Sequence, residues 1–71
     1  MSLDRYLTTS DLLDCTGRVT HTLILRPDGR VTVRFASGAE ALVCPRERRC
    51  ITRGMTVDDT VLHAALGMAN T

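Results

Sequence analysis

The sequence predicts a small α+β domain in which an antiparallel β-meander of three strands, or four, packs against a C-terminal helix. Residues 18–44 alternate apolar and polar side chains through stretches that turn residues separate, the pattern of a half-buried antiparallel sheet. From Thr56 onward apolar residues recur at helical spacing. A chain of 71 residues has room for one core. We therefore expect one domain with a helical N-terminal segment (1–17), the meander (18–44), a basic linker (45–55) and the helix (56–69).

The turn at residues 27–29 decides which side chains of the first hairpin share a face. A three-residue hairpin loop is a type I turn followed by a left-handed residue, and the string Pro-Asp-Gly places Gly29 at that last position. The expected inner pairs are Leu25 with Val31, Leu23 with Val33, and His21 with Phe35. The expected outer pairs are Ile24 with Thr32, and Thr22 with Arg34.

A second turn continues the meander. We place it at residues 37–39, which pairs Phe35 with Ala41 and Val33 with Val43 and sets Arg34 opposite Leu42. The third strand then runs over residues 40–44 and stops at Pro45, which cannot donate to a ladder. Residues 50–52 can form a short fourth strand.

Helices are expected at both ends. Thr56 is an N-cap candidate, with Asp59 three positions later in the arrangement of a capping box. Near the N-terminus, Thr9 or Ser10 can cap a short helix that ends at Gly17. The apolar stripe of the C-terminal helix has to be buried against another element, and we expect it to pack on the inner face of the meander. Its expected members are Val57, Val61, Leu62, Ala64, Ala65, Leu66, Met68 and Ala69.

Composition narrows the function classes. The sequence has nine basic residues, all Arg, and eight acidic ones. The net charge of +1 gives the whole chain no strong attraction to nucleic acid or anionic lipid. The use of Arg alone is typical of a high-GC genome, and we expect a bacterial or phage origin. No apolar run is long enough for a membrane span, and the N-terminus lacks the pattern of a signal peptide, so we expect a cytoplasmic protein.

No catalytic arrangement is evident. The sequence has no Gly-rich phosphate loop, nucleophile elbow or H-E-x-x-H motif, and nothing in the spacing activates His21 or His63. A chain this short also has little scope for a substrate pocket. We expect a non-enzymatic protein without cofactor, metal or small-molecule substrate.

The cysteines leave one chemical alternative. Cys44 and Cys50 stand in the string C-P-R-E-R-R-C and could hold zinc or form a thiol redox pair, with Cys15, His21 and His63 available to complete a four-ligand metal site. Structural zinc pairs usually stand closer together, and redox pairs use C-x-x-C, so the favoured interpretation is three unlinked thiols.

Arginines supply a second alternative, a nucleic-acid-binding surface. Such a surface would hold phosphates with guanidinium groups, and its affinity would fall with salt. Exposed charges on a solvated sheet face explain the same pattern without a ligand. The candidate residues, on the sheet and in the linker, are Arg26, Arg30, Arg34, Arg46, Arg48, Arg49 and Arg53.

The favoured function is binding of another macromolecule, a protein before a nucleic acid, by a module whose small core is completed by homodimerisation. Ile24, Leu42 and Cys44 fall on the outer face of the meander, where apolar side chains need a partner. A core below about 70–80 residues rarely supplies more than about 3–5 kcal/mol, so burial against a second copy would add stability that one copy lacks. A two-fold dimer could either extend the sheet edge to edge or pack these outer apolar residues against their copies. We therefore predict a homo-oligomeric protein-interaction or regulatory module.

Two features of the sequence resemble known protein families in part. The string YLTTSDLLD is similar to the opening of excisionase-like helix-turn-helix proteins, which implies a capped helix there, but β alternation follows where that family places its recognition helix. The meander-plus-helix plan resembles MbtH-like partners of peptide synthetases, whose partner-binding tryptophans this sequence lacks. Neither resemblance assigns a family.

Overall fold

A computed structural model describes residues 8–70, which form one five-stranded antiparallel sheet and one helix. The strands follow chain order across the sheet, so each strand pairs with the next one in sequence. The predicted α+β meander is confirmed, with five strands in place of three or four. The elements are β1 (Thr8–Leu13), β2 (Val19–Leu25), β3 (Val31–Phe35), β4 (Glu40–Cys44), β5 (Arg49–Cys50) and α1 (Asp59–Ala69).

The first predicted hairpin, β2 with β3, has the expected register in all five pairs. Arg26 N–H donates to the Arg30 carbonyl at 2.8 Å, and Gly29 takes the left-handed conformation at φ +90°. Because side chains alternate along a strand, Leu23 and Val33 share the face toward the helix, whereas Ile24 and Thr32 share the opposite face.

The second hairpin differs from the prediction by two residues. Phe35 N–H donates to the Ala39 carbonyl at 2.8 Å, so the loop is residues 36–38, and Val33 lies opposite Ala41. The reason is the left-handed position at the end of a three-residue loop, which Gly38 fills at φ +96°. A shift of two preserves the alternation, so the assignment of side chains to the two faces is unchanged.

The N-terminal helix prediction is wrong where the structure describes it, and the rest of that prediction, on residues 1–7, lies outside the described residues. Thr8–Leu13 form strand β1 against β2, with a bulge between Leu12 and Leu13. Threonine is a weak helix former and a good strand former, and the exposed edge of β2 offers it a ladder. Gly17 is left-handed as predicted, at φ +86°, but it ends a hairpin loop rather than a helix.

The loop that Gly17 ends is held by one carboxylate. Asp14 Oδ1 accepts hydrogen bonds from the Thr16 hydroxyl, from the Thr16 N–H at 2.8 Å and from the Arg18 N–H at 3.1 Å. These donors, the Thr16 hydroxyl foremost, lower the pKa of the Asp14 carboxyl below its ordinary value. Since the folded pKa is lowered, the contribution of this turn to stability is present above the ordinary pKa and is lost as the pH falls through the folded value.

Two further boundaries differ from the sequence prediction. The short strand β5 is Arg49–Cys50 rather than residues 50–52, although Ile51 N–H still donates to the Leu42 carbonyl at 2.7 Å. The helix begins at Asp59 with Asp58 as its N-cap, so Thr56 does not cap it, and the Asp58 side chain makes no capping hydrogen bond. Val57 instead packs against the core from the extended segment before the cap, and lines the same cavity as Leu62. These are the positions of a hydrophobic staple, which fixes how the chain enters the helix.

The core lies between the inner sheet face and one side of α1. The helix buries Val61, Leu62 and Ala65, and its predicted stripe is confirmed for these and for the partly buried Ala64 and Met68, whereas Val57 reaches the core from outside the helix. At one end of the inner face the rings of His21 and Phe35 meet edge to face, 5.3 Å apart. The sheet contributes Leu23, Val31, Val33, Ala41 and Val43.

In the part of the chain that the structure describes, no helix is long and apolar enough to cross a membrane.

A pair of proline substitutions tests strand β1. Backbone N–H groups alternate in direction along a strand, and Arg26 N–H points toward β3, so Ile24 N–H also points toward β3 and Leu23 N–H points toward β1. Ser10 pairs with Leu23, so its N–H faces β2, whereas the N–H of Thr9 faces the free edge. Ser10→Pro should lower the free energy of unfolding by about 1–3 kcal/mol, because it removes a ladder bond. Thr9→Pro, the matched control, should cost clearly less. Urea unfolding measures both, and equal losses, or a greater loss for Thr9→Pro, would contradict the strand assignment.

Candidate protein-binding face

The outer face of the sheet, the face turned away from α1, is the candidate site. The helix covers only the inner face, and within residues 8–70 no other element lies over the outer one. The strand registers arrange its side chains in three rows that cross the sheet. We name them the central row, the basic end and the acidic end.

The central row is mostly apolar. Thr9 pairs with Ile24, Ile24 with Thr32, and Thr32 with Leu42. Alternation beyond Cys50 adds Ile51, whose N–H bonds the Leu42 carbonyl, and Ile51 is 39% exposed. Ile24 and Leu42 are half-buried by their sheet neighbours. An apolar line across a face rimmed by charges is typical of a surface that binds another protein.

The basic end lies beside the central row, where the turns after β2 and β4 meet. Asp28 and Glu47 are its only carboxylates among the described residues, so the end carries a positive charge. Arg30 lies 3.8 Å from Asp28, and Arg49 lies 3.5 Å from Glu47. The end consists of Arg26, Arg30, Arg46, Arg49, Asp28, Glu47 and Cys44.

Contacts within the basic end are weak. Arg26 reaches across to the Thr32 hydroxyl at 3.5 Å, and the Cys44 thiol donates to the Glu47 carboxylate at 3.6 Å. Both ion pairs are more than half exposed, and pairs of this kind contribute about 0–1 kcal/mol. A partner can therefore recruit these guanidinium groups at little cost to the fold.

The acidic end lies on the other side of the central row. Asp11 pairs with Thr22 and accepts its hydroxyl at 3.0 Å. Arg34 donates to Glu40 through both Nε and Nη2 at 2.8 Å, which neutralises both side chains. Asp11 therefore gives this end its net negative charge.

The structure brings four of the seven candidate arginines together and separates the other three. Arg26, Arg30, Arg46 and Arg49 share the basic end, and Arg34 lies at the acidic end. Arg48 turns to the helix side, where it lines a cavity with Asp59, Leu62 and His63, and Arg53 lies in the exposed segment before the helix. The seven therefore do not form one surface.

The cysteines do not form a common site. Cys50 pairs with Val43 and packs against the core, whereas Cys44 pairs with Arg49 on the outer face. All three cysteines are free, and within residues 8–70 no group of three or more His, Cys, Asp or Glu side chains is placed to hold a metal ion. The sheet itself separates the thiols of the predicted zinc or redox pair.

Of the predicted interface residues, Ile24 and Leu42 lie in the central row and Cys44 at the basic end. The sequence prediction did not include Ile51, because neither the basic linker nor the short strand expected over residues 50–52 was assigned to a face of the sheet. It also missed the acidic end, because the predicted register set Arg34 opposite Leu42 rather than Glu40. The position of Gly38 was the signal that would have corrected that register, because a three-residue hairpin loop ends in a left-handed residue.

Comparison with protein-family models, curated protein sequences and solved protein structures finds no match.

An oxidation experiment tests the placement of the thiols. Mild oxidation of the folded protein should give no Cys44–Cys50 disulfide, because the two side chains lie on opposite sides of the sheet. The same treatment in urea, the control, should produce that link, since the unfolded chain closes such a short loop readily. Peptide mapping identifies the products, and a link formed as fast in the folded protein would contradict the assignment.

Proposed function

We propose that this chain is a non-catalytic protein-binding module that self-associates through the outer face of its sheet. The observation that carries the proposal is the central row, an apolar line across an uncovered face between ends of opposite charge. Such a surface buries its apolar side chains only when another protein covers it.

The small core supports the same proposal. The core within the described residues consists of eight buried hydrophobic residues, and a core of this size leaves a small margin of stability. Association through the outer face would bury Ile51, which the monomer exposes, and would complete the burial of Ile24 and Leu42. Self-association and folding would then stabilise one another.

Nucleic-acid binding has weaker support. The basic end contains two carboxylates among its four arginines, and both lie next to guanidinium groups. The outer face also presents no aromatic side chain for base stacking, since the described part of the chain has Phe35 on the inner face and no other aromatic but the histidines. The charge pattern is therefore better suited to a protein surface that itself carries both signs.

A single substitution tests the proposed function. Leu42→Asp places a charge in the central row and should make the protein monomeric at concentrations where the parent chain associates. Leu66→Asp is the matched control: Leu66 is also half-buried but lies on the helix, outside the core cluster. Sedimentation velocity over a concentration series measures both.

The control should associate like the parent chain. A parent chain that stays monomeric at about 1 mM, where even weak specific pairs form, would contradict the proposal. So would equal association of the Leu42→Asp variant.

A further inference from the structure

We propose that the outer face pairs with a second copy about a two-fold axis that runs across the strands, along the central row. This inference rests on the proposed function and specifies its partner and geometry. It places the basic end of each copy over the acidic end of the other. Its support is the order of charges along the strands.

The order of charges distinguishes between the two simple ways to stack a face on its own copy. With an axis along the strands, the basic end of one copy lies over the basic end of the other, so four arginines of one copy lie over four of the other. An axis across the strands exchanges the ends and leaves the central row opposite its own copy. Like charges in contact disfavour the first arrangement, and opposite charges favour the second.

Residues on β1 and β2 fit the second arrangement, and on β3 this arrangement places Arg30 of one copy over Arg34 of the other, whose charge Glu40 neutralises. With the axis on the central row, Arg26 of one copy lies over Thr22 of the other, because the two positions flank Ile24 at equal distance along β2. Thr22 pairs with Asp11, the residue that gives the acidic end its net charge. Each copy thus presents an Arg26 without an ion pair in the described residues to an Asp11 that also lacks one, twice per dimer.

The free edge of β1 is a poorer surface for a second copy. Asp11 lies on that edge strand, and a bulge at Leu12 and Leu13 disturbs its end. A charged side chain and a bulge are the usual features that protect an edge from pairing. Edge-to-edge pairing is therefore an outcome that the experiment has to exclude.

The size of the face sets the expected affinity. Five strands about 4.8 Å apart and three rows of side chains give roughly 500 Å² per copy, or roughly 1,000 Å² in total. This is the lower limit for a specific interface, the size at which weak and transient associations are found, so we expect a dimer that dissociates on dilution. The charged ends should make association weaken as salt is raised from about 50 to about 500 mM.

Charge reversal tests the axis. One variant carries Arg26→Glu and Arg46→Glu, which makes the basic end acidic without breaking an ion pair among the described residues. The other carries Asp11→Arg, which makes the acidic end basic. Each should self-associate at least about tenfold more weakly than the parent chain, because each then sets like charges against one another.

Two combinations should restore association. An equimolar mixture of the variants should associate like the parent chain, since both contacts regain opposite charges. The variant that carries all three substitutions should do the same alone, because its two ends are simply exchanged. Circular dichroism and thermal melting at low concentration confirm that each variant is folded, and Arg26→Gln with Arg46→Gln replaces the reversal if that variant does not fold.

Other outcomes overturn the proposal in distinguishable ways. If both reversals associate like the parent chain while Leu42→Asp stays monomeric, the outer face binds but the axis is wrong. If the mixture associates more tightly than the parent chain and the triple variant does not, the axis runs along the strands. If Leu42→Asp and the reversals all associate normally, the proposed function fails as well, and edge pairing through β1 is indicated.

Discussion

The three-residue hairpin loop that ends in a left-handed glycine is the constraint on which this structure depends. The same loop occurs three times, ending at Gly17, Gly29 and Gly38, each with φ between +86° and +96°. In each, the residue before the loop donates its N–H to the carbonyl four positions on, from Asp14 to Arg18, from Arg26 to Arg30 and from Phe35 to Ala39. The loops ending at Gly29 and Gly38 fix the register of the strands that they join, whereas the bulge between Leu12 and Leu13 shifts β1 by one residue from the register that the Gly17 loop sets. Register decides which side chains point toward the helix.

Register also determines which side chains lie on the outer face, since the residues before and after each inward-pointing residue of a strand point outward. Leu23 and Val33 are fully buried, and between and beside them Ile24, Thr32 and Arg34 are turned outward. A slip of one residue would bury Arg34 and expose Val33, at a cost that no surface contact here could offset. The core therefore enforces the order of rows that gives the outer face its charge pattern.

Sequence reasoning predicted the hairpin of β2 and β3 to the residue, because alternation and the Pro-Asp-Gly turn agree there. It failed for β1, where Thr9, Ser10 and Asp11 satisfy the rules for a helix cap as well as those for a polar edge strand, and only pairing with β2 decides between them. It missed the second register by two residues through placing Gly38 in the middle of its loop. Of the candidate site, Ile24 and Leu42 follow from alternation alone, whereas Ile51 and the Arg34–Glu40 pair depend on contacts between segments that the sequence does not show.

The most direct measurement is of proton–proton distances across β2 and β3 by NMR. Because Arg26 and Arg30 form a hydrogen-bonded pair, Leu25 with Val31 and Leu23 with Val33 are non-hydrogen-bonded pairs, whose Cα atoms lie about 4.5 Å apart. The account predicts strong Hα–Hα cross-peaks between Leu23 and Val33 and between Leu25 and Val31. Cross-peaks from Leu23 to Thr32 or Arg34 in their place would reveal a register slipped by one residue, and both faces as described here would be wrong.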